Sequence, residues 1–462
     1  MLSTQTIERI LTAALSNGGD FSEIFIEKTQ VSGIALINGI VDQVSTGINS
    51  GIGIRILEKT KCVYVFSNDL NEESLIHMAK NASASLQNIP SGVSVHLTPR
   101  EDFKSGSFQI SPIQADKRRI IDILKSAENK AREYHTSISQ TSFSYGASQK
   151  HIWIANSDGL YRTDERVGSR LGIEVVASSN NEKQSGHFGP GARKGMEFLE
   201  NYPIEETAKN AAEIAVKMLH AKPCPSGKMP VVIDNGFGGV IFHEACAHAL
   251  EATSVGVEAS VFTGKLGEQI ASPFVSAYDD GTISDEWGSL SIDDEGQQTR
   301  KNLLIENGIL RGYLIDLLGS RRMNMPSTGS SRRQSYQYAP TSRMTNTYIA
   351  NGNDKPEDII SDTPYGLYAK NMGGGSVDPA TGEFNFAVNE AYIIRDGKIA
   401  EPVRGATLIG KGSDVLMQID RVGNNLLLAQ GLCGSISGSI PVDVGQPMIR
   451  VSELTVGGHA DI

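Results

Sequence analysis

The chain has 462 residues, enough for roughly two or three domains with substantial cores, and a formal net charge of −11 with no long basic run, so direct nucleic-acid binding has little electrostatic support. No apolar run approaches the length that crosses a bilayer, so no membrane partner is expected. The four cysteines, Cys62, Cys224, Cys246 and Cys433, are too scattered for a secreted disulfide framework, and a cytoplasmic location is expected.

From the N-terminus, Ile7, Ile10, Leu11 and Leu15 alternate with Glu8 and Arg9 in the pattern of an amphipathic helix over Gln5–Ser16, not of a signal peptide. Alternating strands are expected from Phe21, turning at Asn38-Gly39 and again near Asn49 to Gly53, followed by a helix over Leu70–Leu86. A second pass repeats the layout: a helix over Ile113–Tyr134, strands turning at Asp158-Gly159 and at Gly168 to Gly172, and a helix over Ile204–Leu219. Both closing helices carry acids in the first turn, at Glu72-Glu73 and Glu205-Glu206, where the helix dipole favours them. These signals predict an α+β fold whose N-terminal domain, residues 1–221, is an antiparallel sheet with packed helices and an internal duplication; chance similarity within an α+β domain is the plainer alternative.

Lys222 to Lys228, with Pro223, Pro225 and Gly227, reads as a boundary. Beyond it, residues 229–462 read as a β-rich domain, a sandwich or barrel, with hairpins at Glu306-Asn307-Gly308 and Arg395-Asp396-Gly397-Lys398. Its one long helix follows the apolar run Met229 to Ile233 and the turn Gly236-Phe237-Gly238-Gly239, and carries Phe242-His243-Glu244-Ala245-Cys246-Ala247-His248. Two histidines and a glutamate among apolar neighbours are costly to bury without a partner, and a metal supplies one. Neutral imidazoles hold zinc, and a carboxylate beside the first can take a proton from an activated water. The histidines stand five apart, which on an ideal helix separates them by about 140°. A local π-type turn would restore a common face.

A third ligand must come from elsewhere. Glu251, Glu258 and Glu268 are near in sequence, whereas Cys433 lies in Gly431-Leu432-Cys433-Gly434-Ser435-Ile436-Ser437-Gly438, whose glycines admit close backbone approach. The residues alone do not choose between Cys433 and a glutamate. Cys246, within the motif, reads as helix packing. The stretch from Gly319 to Thr347 carries Arg321, Arg322, Arg332, Arg333 and Arg343 with Tyr336 and Tyr338; it reads as a long loop whose arginines could receive a peptide carboxylate and whose tyrosines could cover a cleft, or as a solvated loop. Asp293-Asp294-Glu295 reads either as an acidic turn or as carboxylates that orient a metal-ligating histidine.

The sequence H-E-A-C-A-H-A-L-E-A after a glycine-rich turn resembles the H-E-x-x-x-H signature of the TldD/PmbA metalloproteases, also called modulators of DNA gyrase. Asp293-Asp294-Glu295-Gly296, Arg343-Met344-Thr345-Asn346-Thr347, Gly373-Gly374-Gly375-Ser376-Val377-Asp378-Pro379 and the glycine-flanked Cys433 extend the likeness along the chain. The resemblance implies a zinc held by His243, His248 and Cys433, with Glu244 as catalytic base. It further implies small, unfolded or leader-type peptides as substrates and a dimer, either of this chain alone or with a non-catalytic paralogue. One branch of the family lacks the motif; this chain keeps it and so resembles the catalytic, TldD-type branch. Arg343, Gly374, Gly375 and Gly434 are candidate substrate contacts, since glycine-rich segments let an extended peptide add as a strand. Two rival readings are a chaperone-like partner with a structural zinc and a hydrolase acting on a non-peptide amide.

Overall fold

The computed structural model describes residues 2–86, 93–180, 182–378 and 381–458; Pro379 of the glycine-rich run falls outside them. Helix α1 (Thr4–Ala14) leads into β1 (Phe21–Ile37), β2 (Ile40–Glu58), β3 (Lys61–Ser67) and α2 (Glu72–Ala84). After a short strand, β4 (Glu101–Ser105), a similar order returns as α3 (Lys117–Tyr134), β5 (Ile138–Asn156), β6 (Tyr161–Ser179), β7 (Glu182–Phe188) and, beyond the added short strand Gly191–Ala192 and short helix Met196–Asn201, the helix Ile204–His220. The first strands of the two passes, β1 and β5, pair antiparallel with Gly33 opposite Gly146, so the passes face each other across the middle of one sheet. Positive φ at Asn38 and Gly39 makes a tight hairpin of the first turn, as Asn-Gly predicts.

The two further turns expected at Asn49–Gly53 and Gly168–Gly172 are absent, because β2 and β6 run straight through them. These glycines serve close approach instead. A Cβ on Gly53 would lie 2.8 Å from the Tyr336 carbonyl, and one on Gly168 would lie 3.0 Å from the Trp287 ring. Both neighbours belong to the C-terminal half of the chain. Strand alternation explains the arrangement. Ile24, Ile26, Ile52 and Ile54 pack under α1 and α2, while Ile34, Leu36, Phe143 and Tyr145 pack under α3 and the helix Ile204–His220. The intervening residues Glu23, Phe25, Glu27 and Arg55 are also buried.

That opposite face carries an ion-pair network. Arg55 holds Glu23 at 2.8 Å and Glu295 at 2.6 Å, Arg333 holds Glu23 at 2.6 Å, and Arg166 holds Asp294 at 2.6 Å. Asp293 accepts the backbone N–H groups of Glu295, Gln297 and Ser331. The acidic triplet is therefore a turn that also docks the N-terminal sheet, and it does not orient the motif histidines. The arginine-rich segment departs from its expectation as a long loop, beginning with a helix at Leu317–Met323. It is not a solvated loop, since Arg332, Arg333, Arg343 and Tyr336 are buried in ordered contacts. Buried guanidiniums need acceptors, and the acidic triplet and carbonyls supply them.

From Gly227 onward, five strands close a ring: Gly227–Ile233, Ile449–Gly457, Ala406–Lys411, Glu383–Arg395 and Tyr365–Val377, which returns to Gly227–Ile233. A separate sheet of six strands ends in the hairpin Leu427–Ser435 and Gly438–Gln446. Val231, Ile233, Leu367 and Phe386 of the ring share one apolar core with Leu304, Ile349, Val442 and Val444 of the sheet. Ile241 and Phe242 of the histidine motif enter that same core, which fixes the motif between barrel and sheet.

Candidate metal centre

The motif is not one long helix. An α-helix spans Val240–Ala245, Cys246 leaves helical geometry at φ −131° and ψ −53°, and a 3₁₀ turn spans Ala247–Leu250. No π-type turn forms. The odd spacing is absorbed by the break at Cys246 and the tighter turn after it, which bring the rings of His243 and His248 to 5.1 Å between centroids. Gly412 packs closely against the end of this helix, where a Cβ would meet the Ala245 carbonyl at 2.2 Å.

Cys433 reaches the histidines from the last strand of the six-stranded sheet. Its Sγ lies 3.1 Å from His248 Nε2, and one ligand atom each from His243, His248 and Cys433 lies within 4.8 Å of the others. Glu258 and Glu268 are exposed and outside this cluster. Glu251 is adjacent in another way: its Oε1 lies 3.1 Å from His248 Nδ1, the ring nitrogen turned away from Cys433. His243 and Cys433 are 1% and 2% exposed, while the side chains of His248 and Glu244 keep 21% and 31% of their surface, so the cluster is open on one side. Glu244 Oε2 lies 3.8 Å from His248 Nε2.

Burial opposes ionisation of the Cys433 thiol, but the charge and hydrogen bonds of His243 and His248 bring its pKa down to about 4. Burial likewise disfavours the His248 cation, and Glu251 with Cys433 outweighs it, raising His248 well above the ordinary imidazole value. Burial pushes the Cys246 thiol up, which leaves it an inert packing group. The donor set of two imidazoles and an ionisable thiol fits zinc. His243 Nδ1 agrees with that fit: it is buried and has no hydrogen-bond partner among the described residues.

The other candidates fall in different places. Arg343 is fully buried, and its guanidinium donates to the Cys433 carbonyl at 2.7 Å, the Gly438 carbonyl at 3.0 Å and Ser437 Oγ at 2.9 Å. Gly434 adjoins Cys433, and a Cβ there would meet nothing within 4 Å. Gly374 and Gly375 lie in the barrel strand Tyr365–Val377 beside a register shift; Gly374 faces open space, whereas a Cβ on Gly375 would strike Phe386. The part of Glu251 was missed as a reading of the sequence, although its position three residues after His248 was the available signal.

The chain matches the PmbA/TldA metallopeptidase domain 1 over residues 22–86, the central domain over 110–219 and the C-terminal domain over 226–458. It is 36% identical to a metalloprotease TldD homolog of Haemophilus influenzae, over 99% of this chain and 97% of that one. It is 34% identical to a metalloprotease TldD homolog of Buchnera aphidicola, over 98% and 95%. A zinc metalloprotease TldD homolog of Saccharolobus solfataricus is 24% identical over 96% and 97%. Among solved structures, a Thermotoga maritima protein described as a modulator of a DNA gyrase superposes with a TM-score of 0.80 at 23% identity, covering 98% of this chain and 99% of that one. TldE from Thermococcus kodakarensis gives 0.74 at 20% identity, covering 98% and 100%.

Proposed function

Because the chain belongs to the PmbA/TldA metallopeptidase family, we propose that it is a zinc metallopeptidase of H-E-x-x-x-H type that hydrolyses small unfolded or leader-type peptides. The observation that carries this reading is the convergence of His243, His248 and Cys433 on the open side occupied by Glu244. His243, His248 and Cys433 would hold the zinc, which when bound supplies Lewis acidity toward a water and the scissile carbonyl. Glu244 is the base: its part-exposed carboxylate takes the proton of the attacking water and passes it to the leaving amine. Glu251 fixes the His248 ring from the far nitrogen, and the buried faces of His243 and Cys433 keep water to one side.

The peptide lies extended along the strand Leu427–Ser435. This strand is the outer edge of its sheet, pairs among the described residues with Gly438–Gln446 alone, and carries Cys433. Main-chain pairing there makes sequence preference loose and confines cleavage to unstructured segments. In this reading residues 1–221 form the docking domain and 229–462 the metallopeptidase domain. The working assembly is a cytoplasmic dimer, of two copies or with a non-catalytic paralogue. The test is mass spectrometry of a peptide mixture incubated with zinc-loaded wild type and Glu244→Gln. The wild type should cut, and Glu244→Gln should retain zinc while losing about 10²–10⁴-fold in rate. Undiminished turnover in the zinc-loaded variant would falsify the base assignment.

A further inference from the structure

Arg343 touches both halves of the proposed metal site without facing solvent. Its guanidinium donates to the carbonyl of Cys433 itself and to Ser437 Oγ and the Gly438 carbonyl at the end of the same hairpin. Its Nε lies 3.9 Å from Oε1 of Glu251, the oxygen that approaches His248 Nδ1 at 3.1 Å. Glu251 is its only anionic partner among the described residues, since its other acceptors are a hydroxyl and two carbonyls. A permanently charged group with this burial needs both the acceptors and the countercharge.

The hairpin needs a clamp for a physical reason. Gly431, Gly434 and Gly438 flank Cys433, so the backbone carrying the sulfur is permissive. Leu427–Ser435 is also an edge strand, held by a neighbour on one side. Cys433 and His248 come from distant parts of the chain, and nothing local sets their separation.

We propose that Arg343 is a positioning residue that locks the Cys433 hairpin and, through Glu251, the His248 ring into one ligand geometry. The inference rests on the zinc site proposed above. A lysine cannot replace it, because a single ammonium cannot present the guanidinium fork to three acceptors and still lie beside Glu251.

Cobalt(II) titration tests the clamp without relying on activity, since a cobalt–thiolate bond has a near-ultraviolet charge-transfer band. Wild type should show the band. Arg343→Lys should bind cobalt about 10–100-fold more weakly with a shifted or weakened band. Glu251→Gln should lose affinity while keeping the band. If circular dichroism shows that Arg343→Lys does not fold, Ser437→Ala carries the test, because it removes one acceptor and leaves the charge in place. It should alter the band and weaken binding roughly two- to tenfold. Wild-type affinity and spectrum in the folded Arg343→Lys protein, or in Ser437→Ala where it stands in, overturn the clamp alone. Wild-type protein that binds cobalt without the thiolate band overturns the ligand set, and the clamp with it.

Discussion

Two carboxylates address His248 from opposite ring nitrogens, and their surroundings assign them different work. Glu251 is buried against Nδ1, while Glu244 is part-exposed on the Nε2 side shared with Cys433. The two cysteines nearby divide in the same manner. Cys433 is drawn toward the thiolate by two imidazoles, and Cys246 is held as a thiol by burial alone. Cys433→Ser should therefore strongly lower zinc retention, whereas Cys246→Ala should leave a bound metal, with zinc content after dialysis against a graded chelator as the measurement. Equal retention in the two variants would return the third ligand to the glutamates. The histidine pair and Glu244 were legible because two imidazoles and a carboxylate in an apolar stretch are costly to bury without a metal to hold. The break at Cys246 was not, since local sequence carries no trace of the distant backbone at Gly412 that packs against Ala245.

Among elements, the hairpins at Asn38-Gly39, Asn307-Gly308 and Asp396-Gly397 form where their turn chemistry places them, with positive φ at each of these residues. Glycines without such a partner misled. Gly51, Gly53 and Gly168 read as turns but sit inside long strands, where they make room for Tyr336, Tyr64 and Trp287. The distinction lies in tertiary contacts far along the chain, and a local pattern cannot contain it. The arginine-rich segment misled for a related reason, because its buried guanidiniums are met by Glu23, Glu251 and the carbonyls of Asp294 and Met344. The edge strand Leu427–Ser435 carries a prediction of its own. One cleavable sequence presented as a free peptide and again locked inside a stable folded domain should be cut only when free, as read by mass spectrometry. Comparable cutting of both forms would sink strand addition while leaving the zinc chemistry intact.

At the scale of the whole molecule, the N-terminal sheet and the C-terminal half meet through buried charge, so stability should depend on pH in a defined direction. Burial, followed by the charge of Glu286, pushes Asp443 up to about 8, and burial pushes Glu295 to about 7 against the pull of Arg55. In the unfolded chain these groups titrate near about 4. Between those values the folded state holds more protons, so the free energy of unfolding falls as pH rises from about 4 to about 8. The contribution is complete below the unfolded pKa and lost as pH passes the folded one. Asp443→Asn should flatten the decline in thermal stability between pH 5 and 8 and raise the melting temperature at the alkaline end; an unchanged slope would remove Asp443 from the account.

Barrel and six-stranded sheet together bring His243, His248 and Cys433 into one cluster, and zinc K-edge absorption spectroscopy on the zinc-loaded wild type tests most directly whether that cluster is the metal site. The predicted result is one sulfur scatterer at about 2.3 Å with nitrogen or oxygen scatterers at about 2.0–2.1 Å, including the outer-shell pattern of two imidazoles. A first shell of nitrogen and oxygen alone would contradict it.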